Sequence, residues 1–226
     1  MEYKPYLFGG LKFSGSGALP VDPENYKGQL WYYAPDVYLG RYVYNKETLA
    51  YVDYPASPVL SGDNIRHKTL IFIDSSLAIQ PLITASYDIN GFRFQVKNGD
   101  AIEVLVGGAG NGRIRTMALG STLDGWYELD VTAGVDGYSA KVNGVLKFES
   151  FESLIPIITD TGWIRVGRWD NALVTEAYKI ATVSTWLDGV LCFNVDYNKS
   201  KDDTANGLVG SFVGSTTPLL LTWVQQ

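Results

Sequence analysis

GWYELDVTAGVDGYSAKVNGVLKF, residues 125 to 148, is the stretch that decides the fold of this chain. Apolar and polar side chains alternate in WYELDVT (126–132), YSAKV (138–142) and VLKF (145–148). This period of two is typical of β-strands that bury one face. The pairs DG at 136–137 and NG at 143–144 separate the runs, and such pairs are favoured in tight hairpin turns. The stretch therefore predicts three consecutive antiparallel strands.

Similar runs recur along the chain, whereas helical spacing is almost absent. They are KTLIFI (68–73), GFRFQVK (91–97), AIEVLVG (101–107), RIRTMAL (113–119), WIRVG (163–167), AYKIATV (177–183) and VLCFNV (190–195). Further turn signals occur at 90–91, 98–100 and 188–189. Many short strands with frequent Gly-containing turns predict an all-β sandwich or barrel, and we expect one domain over residues 1–226.

The segment from residue 30 to 55 has a different composition, with seven tyrosines in LWYYAPDVYLGRYVYNKETLAYVDYP. Tyrosine is large and amphipathic, and it is enriched where protein surfaces meet partners. Two interpretations stay open: strands with tyrosines packed across them, or a surface for assembly or ligand binding. We treat the segment as an insertion in the predicted domain.

Composition and charge exclude several functions. The net charge is −6 and the basic residues are scattered, so we expect no nucleic-acid partner. No apolar run approaches the roughly 18 residues of a transmembrane helix, and the start MEYKPYLFGG lacks a signal-peptide pattern. The single cysteine, Cys192, is predicted to be a buried thiol. The single histidine, His67, excludes zinc sites of the common kind, and it excludes a Ser-His-Asp or Cys-His centre unless His67 itself serves.

Four segments in this order resemble the concanavalin A-like lectin and glucanase superfamily, and most of all its laminin-G-like members. They are LKFSGSGALPV (11–21), the opening stretch, GWIRVGRWDNALVTEAYKIATVSTWLDGVLCFNV (162–195) and VDYNKSKDDTANGLVGSFVGSTTPLLLTW (195–223). The resemblance implies a jelly-roll β-sandwich of two antiparallel sheets. It also implies a ligand site on a concave face or in the loops around it.

The glucanase branch of this superfamily carries the motif E-x-D-x-x-E on one strand. Glu128 and Asp130 match its first two positions, but Ala133 occupies the third. Retaining hydrolysis needs a second carboxyl group that is held protonated. We therefore predict that the protein is not an enzyme. The alternative is a glucanase-like enzyme whose second carboxylate is Asp170 or Glu103.

Glycan binding needs an aromatic platform beside planar polar groups. The loop GRWDNAL supplies Trp169, Asp170 and Asn171, and the strand WYELDVT supplies Trp126 on the same face as its two acids. These are the candidate glycan-binding residues.

Calcium is the other ligand that the resemblance implies. In DYNKSKDDT (196–204), Asp196, Asn198, Ser200 and Asp202 occupy alternate positions, which suits a hard cation. A polar surface turn is the alternative for this loop, and we expect no other cofactor.

The expected function is a non-enzymatic structural or recognition module, such as a capsid decoration or tail component of a phage virion. Its lectin-like sandwich would bind host glycans or neighbouring subunits, and we expect an oligomer or a larger assembly. A start without a signal peptide and a chain without disulfides agree with folding in the cytosol and a later place on a virion or extracellular surface. A cytosolic protein fits equally well.

Overall fold

The three runs of the opening stretch form strands β9 (Gly125–Gly134), β10 (Gly137–Val142) and β11 (Val145–Ser150) of a computed structural model. They pair as two successive antiparallel hairpins. Asn143 and Gly144 have φ values of 48° and 78° in the turn between β10 and β11. Asn and Gly tolerate this left-handed conformation better than other residues, which is why the pair forms a two-residue hairpin turn.

The structure describes residues 41–45, 51–57, 60–85, 91–107, 113–158, 162–168, 178–197, 199–213 and 222–223. All the regular elements in these ranges are strands. Besides β9 to β11 they are β1 (Arg41–Asn45), β2 (Tyr51–Ser57), β3 (Ser61–Gly62), β4 (Asn64–Ile73), β5 (Ile79–Ala85), β6 (Phe92–Lys97), β7 (Ala101–Val106), β8 (Arg113–Ala118), β12 (Ile157–Ile158), β13 (Gly162–Val166), β14 (Tyr178–Leu187), β15 (Val190–Asp196), β16 (Ser211–Val213) and β17 (Thr222–Trp223).

The strands form two large antiparallel sheets. The first has eight strands in the order β11-β10-β9-β4-β14-β1-β17, with β15 also paired to β14. The second has seven strands in the order β16-β2-β13-β5-β6-β7-β8, and β3 and β12 form a small separate ladder. Consecutive strands are neighbours in β5 to β8 and in β9 to β11, whereas β4 lies between β9 and β14. The runs of hairpin-connected strands are therefore interrupted by long-range pairing.

The two sheets pack face to face around one apolar core. Leu129 and Val131 project inward from β9, and Phe94 and Val104 project inward from the opposite sheet. Two antiparallel sheets that each bury one face are what alternating strands produce. The predicted all-β fold, a jelly-roll β-sandwich of two antiparallel sheets, is confirmed.

Cys192 belongs to this core, as predicted. Its side chain is buried, and burial raises the pKa of the thiol to about 11. Its S–H group donates a hydrogen bond to the carbonyl oxygen of Thr185 at 3.3 Å.

His67 also faces the core, because β4 alternates with Ile65 and Thr69 inward and Arg66 and Lys68 outward. The imidazole is fully buried and stacks on Phe94 of the opposite sheet, with 5.0 Å between ring centroids. Its Nδ1 lies 3.1 Å from Thr185 Oγ1, and Nε2 has no hydrogen-bond partner. Burial lowers the pKa of His67 to about 3.

The described part of the Tyr-rich segment contributes one strand to each large sheet. β1 pairs with β14 in the first sheet, and β2 pairs with β13 and β16 in the second. Tyr54 is fully buried in the core, and its hydroxyl donates to the carbonyl oxygen of Lys201 at 2.7 Å. The hydroxyl of Tyr197 lies 3.1 Å from that of Tyr54. Residues 41–45 and 51–57 of this segment are therefore strands of the sandwich.

Candidate functional site

Trp126, Glu128 and Asp130 project from the outer face of β9, since Leu129 and Val131 point into the core. Each acid meets a base from the neighbouring strand β4. Lys68 Nζ lies 2.9 Å from Glu128 Oε2. Arg66 binds Asp130 through two hydrogen bonds, from Nε at 2.8 Å and from Nη2 at 2.6 Å. The predicted shared face is confirmed, and both acids on it are paired.

The ion pair with Arg66 keeps Asp130 charged rather than poised for proton transfer. Partial burial opposes ionisation of Asp130, but the hydrogen bond and charge of Arg66, with the charges of Lys68 and Lys141, outweigh it and lower the pKa. A general acid in glycoside hydrolysis needs a raised pKa instead. Asp130 therefore does not supply the protonated carboxyl group that the glucanase alternative requires.

Glu103 cannot serve as the missing partner of Glu128. It lies on β7 between the core residues Ile102 and Val104, so it projects from the outer face of the seven-stranded sheet. Stacked sheets lie roughly 10 Å apart, and these two acids point in opposite directions from them. Glu103 is also 9% exposed and accepts a hydrogen bond from Gln95 Nε2 at 2.7 Å. Asp170, the other candidate for this role, lies outside the described residues.

Trp126 is only 6% exposed, although it lies on the outer face. It packs in a small cluster with Leu70, Phe72 and Ala181, and it meets the edge of Phe72 with 5.8 Å between ring centroids. An aromatic platform for a sugar must present an open ring face. Because its neighbours cover the ring, Trp126 exposes little surface that a ligand could contact.

An open cleft of about 490 Å³ lies farther along this outer face, where β4 and β10 begin and β9 and β14 end. Trp186 of β14 lies directly opposite Arg66 of β4 and is half-buried. The guanidinium carbon of Arg66 lies 5.2 Å from the centroid of the indole, which is the range of a cation–π contact. Because Asp130 holds the same guanidinium, the Trp186 ring is fixed beside a bidentate ion pair.

Polar side chains from the ends of several strands, and from the turns that follow them, line the cleft around this ring. The lining side chains that carry hydrogen-bonding groups are Asn64, Arg66, Thr132, Asp136, Tyr138, Ser139, Glu149, Ser150, Trp186 and Asp188. Several of them are fixed by one another: Thr132 Oγ1 lies 2.8 Å from Ser139 Oγ, and Asn64 Nδ2 donates to Asp136 Oδ2 at 2.7 Å. The cleft thus combines the Trp186 ring with a preorganised set of planar and hydroxyl groups, and Tyr138 and Phe151 also belong to its lining.

The Asp188–Gly189 turn positions one wall of the cleft. Asp188 and Gly189 adopt φ values of 47° and 80°, the conformation of a tight hairpin turn. The carboxylate of Asp188 accepts hydrogen bonds from the backbone N–H groups of Asp63 at 3.1 Å and Asn64 at 2.9 Å. This contact ties the β14–β15 hairpin to the start of β4, so the polar groups on both sides of Trp186 keep a fixed spacing.

Trp169, Asp170 and Asn171 lie outside the described residues, so their predicted role stays a prediction. The sequence pointed to this loop and did not place Trp186, Arg66 or Glu149 in a site. One signal was present: Trp186 stands just before the Asp188–Gly189 hairpin turn. Its pairing with Arg66 joins residues 120 positions apart (186 − 66), and that pairing depends on the sheet order.

The two carboxylates among the calcium candidates, Asp196 and Asp202, are paired with lysines. Asp196 Oδ2 lies 3.0 Å from Lys199 Nζ, and Asp202 Oδ1 lies 2.9 Å from Lys201 Nζ. Asn198 is outside the described residues. Among the residues that are described, no group of three or more His, Cys, Asp or Glu side chains is arranged to hold a metal ion. The calcium site stays a prediction.

Asp203, which sequence reasoning did not select, is the buried acid of this loop. It is 2% exposed, and its carboxylate accepts hydrogen bonds from three backbone N–H groups: those of Asn194 at 2.7 Å, Ala205 at 2.9 Å and Asn206 at 2.9 Å. A buried carboxylate needs such partners because its charge is otherwise costly to desolvate. Asp203 therefore fixes the loop to β15.

The fold and the cleft define a jelly-roll sandwich with an exposed polar-aromatic site on one outer face. Solved structures with this fold include a candidate carbohydrate-binding protein of Bacteroides ovatus, 14% identical, with a TM-score of 0.59 over 82% of this chain and 63% of that one. The chain thus spans a little less than two thirds of the Bacteroides protein. The native heptameric SAP-like pentraxin of Limulus polyphemus is 11% identical, with a TM-score of 0.51 over 81% of this chain and 93% of that one.

At these identities the similarity shows the fold alone. No protein-family model matches the chain, and no curated protein matches it. Within the described ranges, no helix is long and apolar enough to cross a membrane.

Proposed function

We propose that the protein is a non-enzymatic recognition module that binds a glycan in the cleft beside Trp186. The observation that carries this proposal is the half-buried Trp186 ring, fixed next to Arg66 and its bidentate partner Asp130. The C–H face of a sugar packs on an aromatic ring, and its hydroxyls bind planar carboxylate, amide and guanidinium groups. The cleft presents these groups together, and its volume of about 490 Å³ is within the usual range for ligand sites.

Two further observations support a binding role over hydrolysis. Glu128 and Asp130 are paired with bases, and the Asp130 pKa is lowered. Glu103 lies on the opposite sheet. The similar fold of a candidate carbohydrate-binding protein agrees with this role, although that similarity assigns no function to any single residue of this chain.

The setting that we propose for this module is a virion surface, as a capsid decoration or a tail component. The lone cysteine is buried in the core, so the sandwich does not depend on disulfides and can fold in a reducing cytosol before it acts outside the cell. The genes that flank the coding sequence test this setting. A run of capsid or tail genes would support it, and a metabolic operon would contradict it.

Binding and turnover are tested together on the same glycans. The wild-type protein is applied to a glycan array, and the polysaccharides that contain the bound motifs are then incubated with it and assayed for released reducing ends. We expect selective binding and no release. An empty array would contradict the glycan proposal, and reducing ends that appear with the wild type but not with Glu128→Gln would establish the glucanase alternative.

A further inference from the structure

A row of side chains crosses the outer face of the eight-stranded sheet and lines the cleft. The row runs from β14 to β11 through directly opposed residues, which are Trp186, Arg66, Thr132, Ser139 and Glu149. Neighbouring strands lie about 4.8 Å apart, so the steps from Trp186 to Glu149 span roughly 19 Å. We call these residues the transverse row. Its length suits a chain of several sugars that lies across the strands.

The two ends of the transverse row differ in chemistry. At the β14 end, Trp186 contacts Arg66, and Asp130 binds the same guanidinium through two hydrogen bonds. At the β11 end, Glu149 is exposed, and its carboxylate has no hydrogen bond or ion pair within the described part of the chain. A ligand that lies along the row therefore meets an aromatic ring at one end and an unpaired carboxylate at the other.

The charged groups of the cleft are mostly acids. Among the described residues of its lining, the acids are Asp136, Glu149 and Asp188, and the base is Arg66. Asp136 and Asp188 lie in the turns that follow β9 and β14, along one side of the transverse row. Because Asp130 already neutralises Arg66, the described lining offers carboxylates to a ligand but no unpaired cation.

Three lysines near this face lie outside the lining. Lys68 and Lys141 both stand opposite Asp130, beside the transverse row, and Lys68 forms an ion pair with Glu128 at 2.9 Å. Lys147 lies on β11, and none of the three is among the described residues that line the cleft. The lining itself therefore attracts cations and repels anions.

We propose that the cleft selects glycans built of amino sugars, and that Glu149 binds a protonated amine at the β11 end of the transverse row. This inference rests on the proposed glycan site and adds the class of sugar. A protonated amine donates charge-assisted hydrogen bonds to a carboxylate, and these are stronger than bonds between neutral groups. An acidic sugar would bring a negative charge beside the carboxylates, and it would have to displace Asp130 to bind Arg66.

The test is calorimetric titration at pH 6, where a sugar amine is protonated, with three tetrasaccharides: one of glucosamine, one of N-acetylglucosamine and one of galacturonic acid. We expect the wild type to bind the glucosamine chain at least about threefold more tightly than the N-acetylated chain, which is the range of one exposed ion pair. The galacturonic acid chain should bind most weakly. Added salt should reduce the preference for the amine, since salt screens exposed charges.

Three variants locate the source of this preference. Glu149→Gln should remove most of the preference for the amine and leave the affinity for the N-acetylglucosamine chain unchanged. Asp124→Asn is the matched control: it removes an exposed acid just before β9, at the opposite end of that strand from the cleft, and should keep the preference. Trp186→Ala should weaken binding of both chains. Circular dichroism and thermal melting verify that all variants are folded.

The outcomes separate this inference from the proposed glycan site. Equal affinity for the glucosamine and N-acetylglucosamine chains, tight binding of the galacturonic acid chain, or a preference that survives Glu149→Gln would each overturn the inference. A wild type that binds none of the three chains but binds other glycans on the array would overturn it too. In all these cases the site itself stands if Trp186→Ala weakens the binding of whichever glycan is bound. A protein that binds no glycan at all loses the site, and the inference fails with it.

Discussion

The chain's only histidine should make the sandwich lose stability in mild acid. His67 is fully buried between the sheets, and its folded-state pKa is lowered from 6.5 to about 3. The folded protein therefore keeps the ring neutral at pH values where the unfolded chain binds a proton. Stability from this group is fully present above pH 6.5, and it is lost as the pH falls toward 3.

The size of the loss follows from the two pKa values. At pH 5 an unfolded histidine of pKa 6.5 is almost fully protonated, so the free energy of unfolding should lie about 2 kcal/mol below its value at pH 7. Over the whole interval from pH 7 down to pH 3 the loss reaches about 4 kcal/mol. Carboxylates contribute mainly below pH 5, since their unfolded pKa values are near 4.

A double variant supplies the matched control. His67→Phe with Thr185→Val removes both partners of the buried contact, keeps an aromatic ring against Phe94 and leaves no titrating group there. Replacing both partners by apolar groups of similar shape costs little. Urea unfolding at pH 7, 6 and 5 should show a fall of about 2 kcal/mol in the wild type beyond that in the double variant.

The imidazole protons of the single histidine give an independent readout by NMR. Their chemical shifts should stay constant from pH 7 to pH 5 in the folded protein. A midpoint near 6.5, or equal pH slopes for the wild type and the double variant, would refute the assignment of a neutral buried ring.

Three further substitutions test the contacts that support the cleft and the loop of residues 197–210, which follows β15. Asp203→Ala leaves three backbone N–H groups without their buried acceptor and should lower the free energy of unfolding by about 3 kcal/mol in urea. Asp202→Ala removes a part-exposed ion pair and the acceptor of one backbone N–H, that of Gly210, and should cost only about 1 kcal/mol. Gly210→Ala places a Cβ atom 2.5 Å from a carbonyl oxygen and 2.8 Å from the Tyr54 ring, so it should cost about 2 kcal/mol, and an unchanged melting temperature would contradict that contact. Asp130→Asn should cost about 1 kcal/mol at pH 7. That difference should shrink as the pH falls below about 4, because the unfolded wild-type chain binds a proton at Asp130 there while the folded protein, with its lowered pKa, does not, and a constant difference would exclude the ion pair as its source.

Local signals in the sequence were enough to predict many of the turns and ten of the strands, β4, β6 to β11 and β13 to β15, but not β5. Asn143–Gly144 and Asp188–Gly189 adopt the left-handed turn conformation that these pairs favour, and Leu129 and Val131 face the core as alternation requires. The order of strands in the sheets is not a local property. β4 pairs with β9 and β14, which are distant in the chain, and only this order brings Arg66 next to both Asp130 and Trp186.

The environment of individual side chains was also beyond local prediction. His67 stands between charged neighbours in NIRHK, but the strand period places it inward, on Phe94. Trp126 shares a face with two acids as predicted, yet Phe72 and its neighbours cover its ring. In both cases burial depends on residues that approach from other strands.

The central claim, a glycan site beside Trp186, is tested most directly by calorimetric titration of the strongest array ligand into three proteins: the wild type, Trp186→Ala and Trp163→Ala. Trp163 is the matched control, because it is a half-buried indole on the outer face of the other sheet. The guanidinium carbon of Arg165 lies 3.9 Å from its ring centroid, so it too makes a cation–π contact. We predict that Trp186→Ala weakens binding at least roughly tenfold, while Trp163→Ala leaves it unchanged. Undiminished affinity in Trp186→Ala, or a loss confined to Trp163→Ala, would contradict the claim.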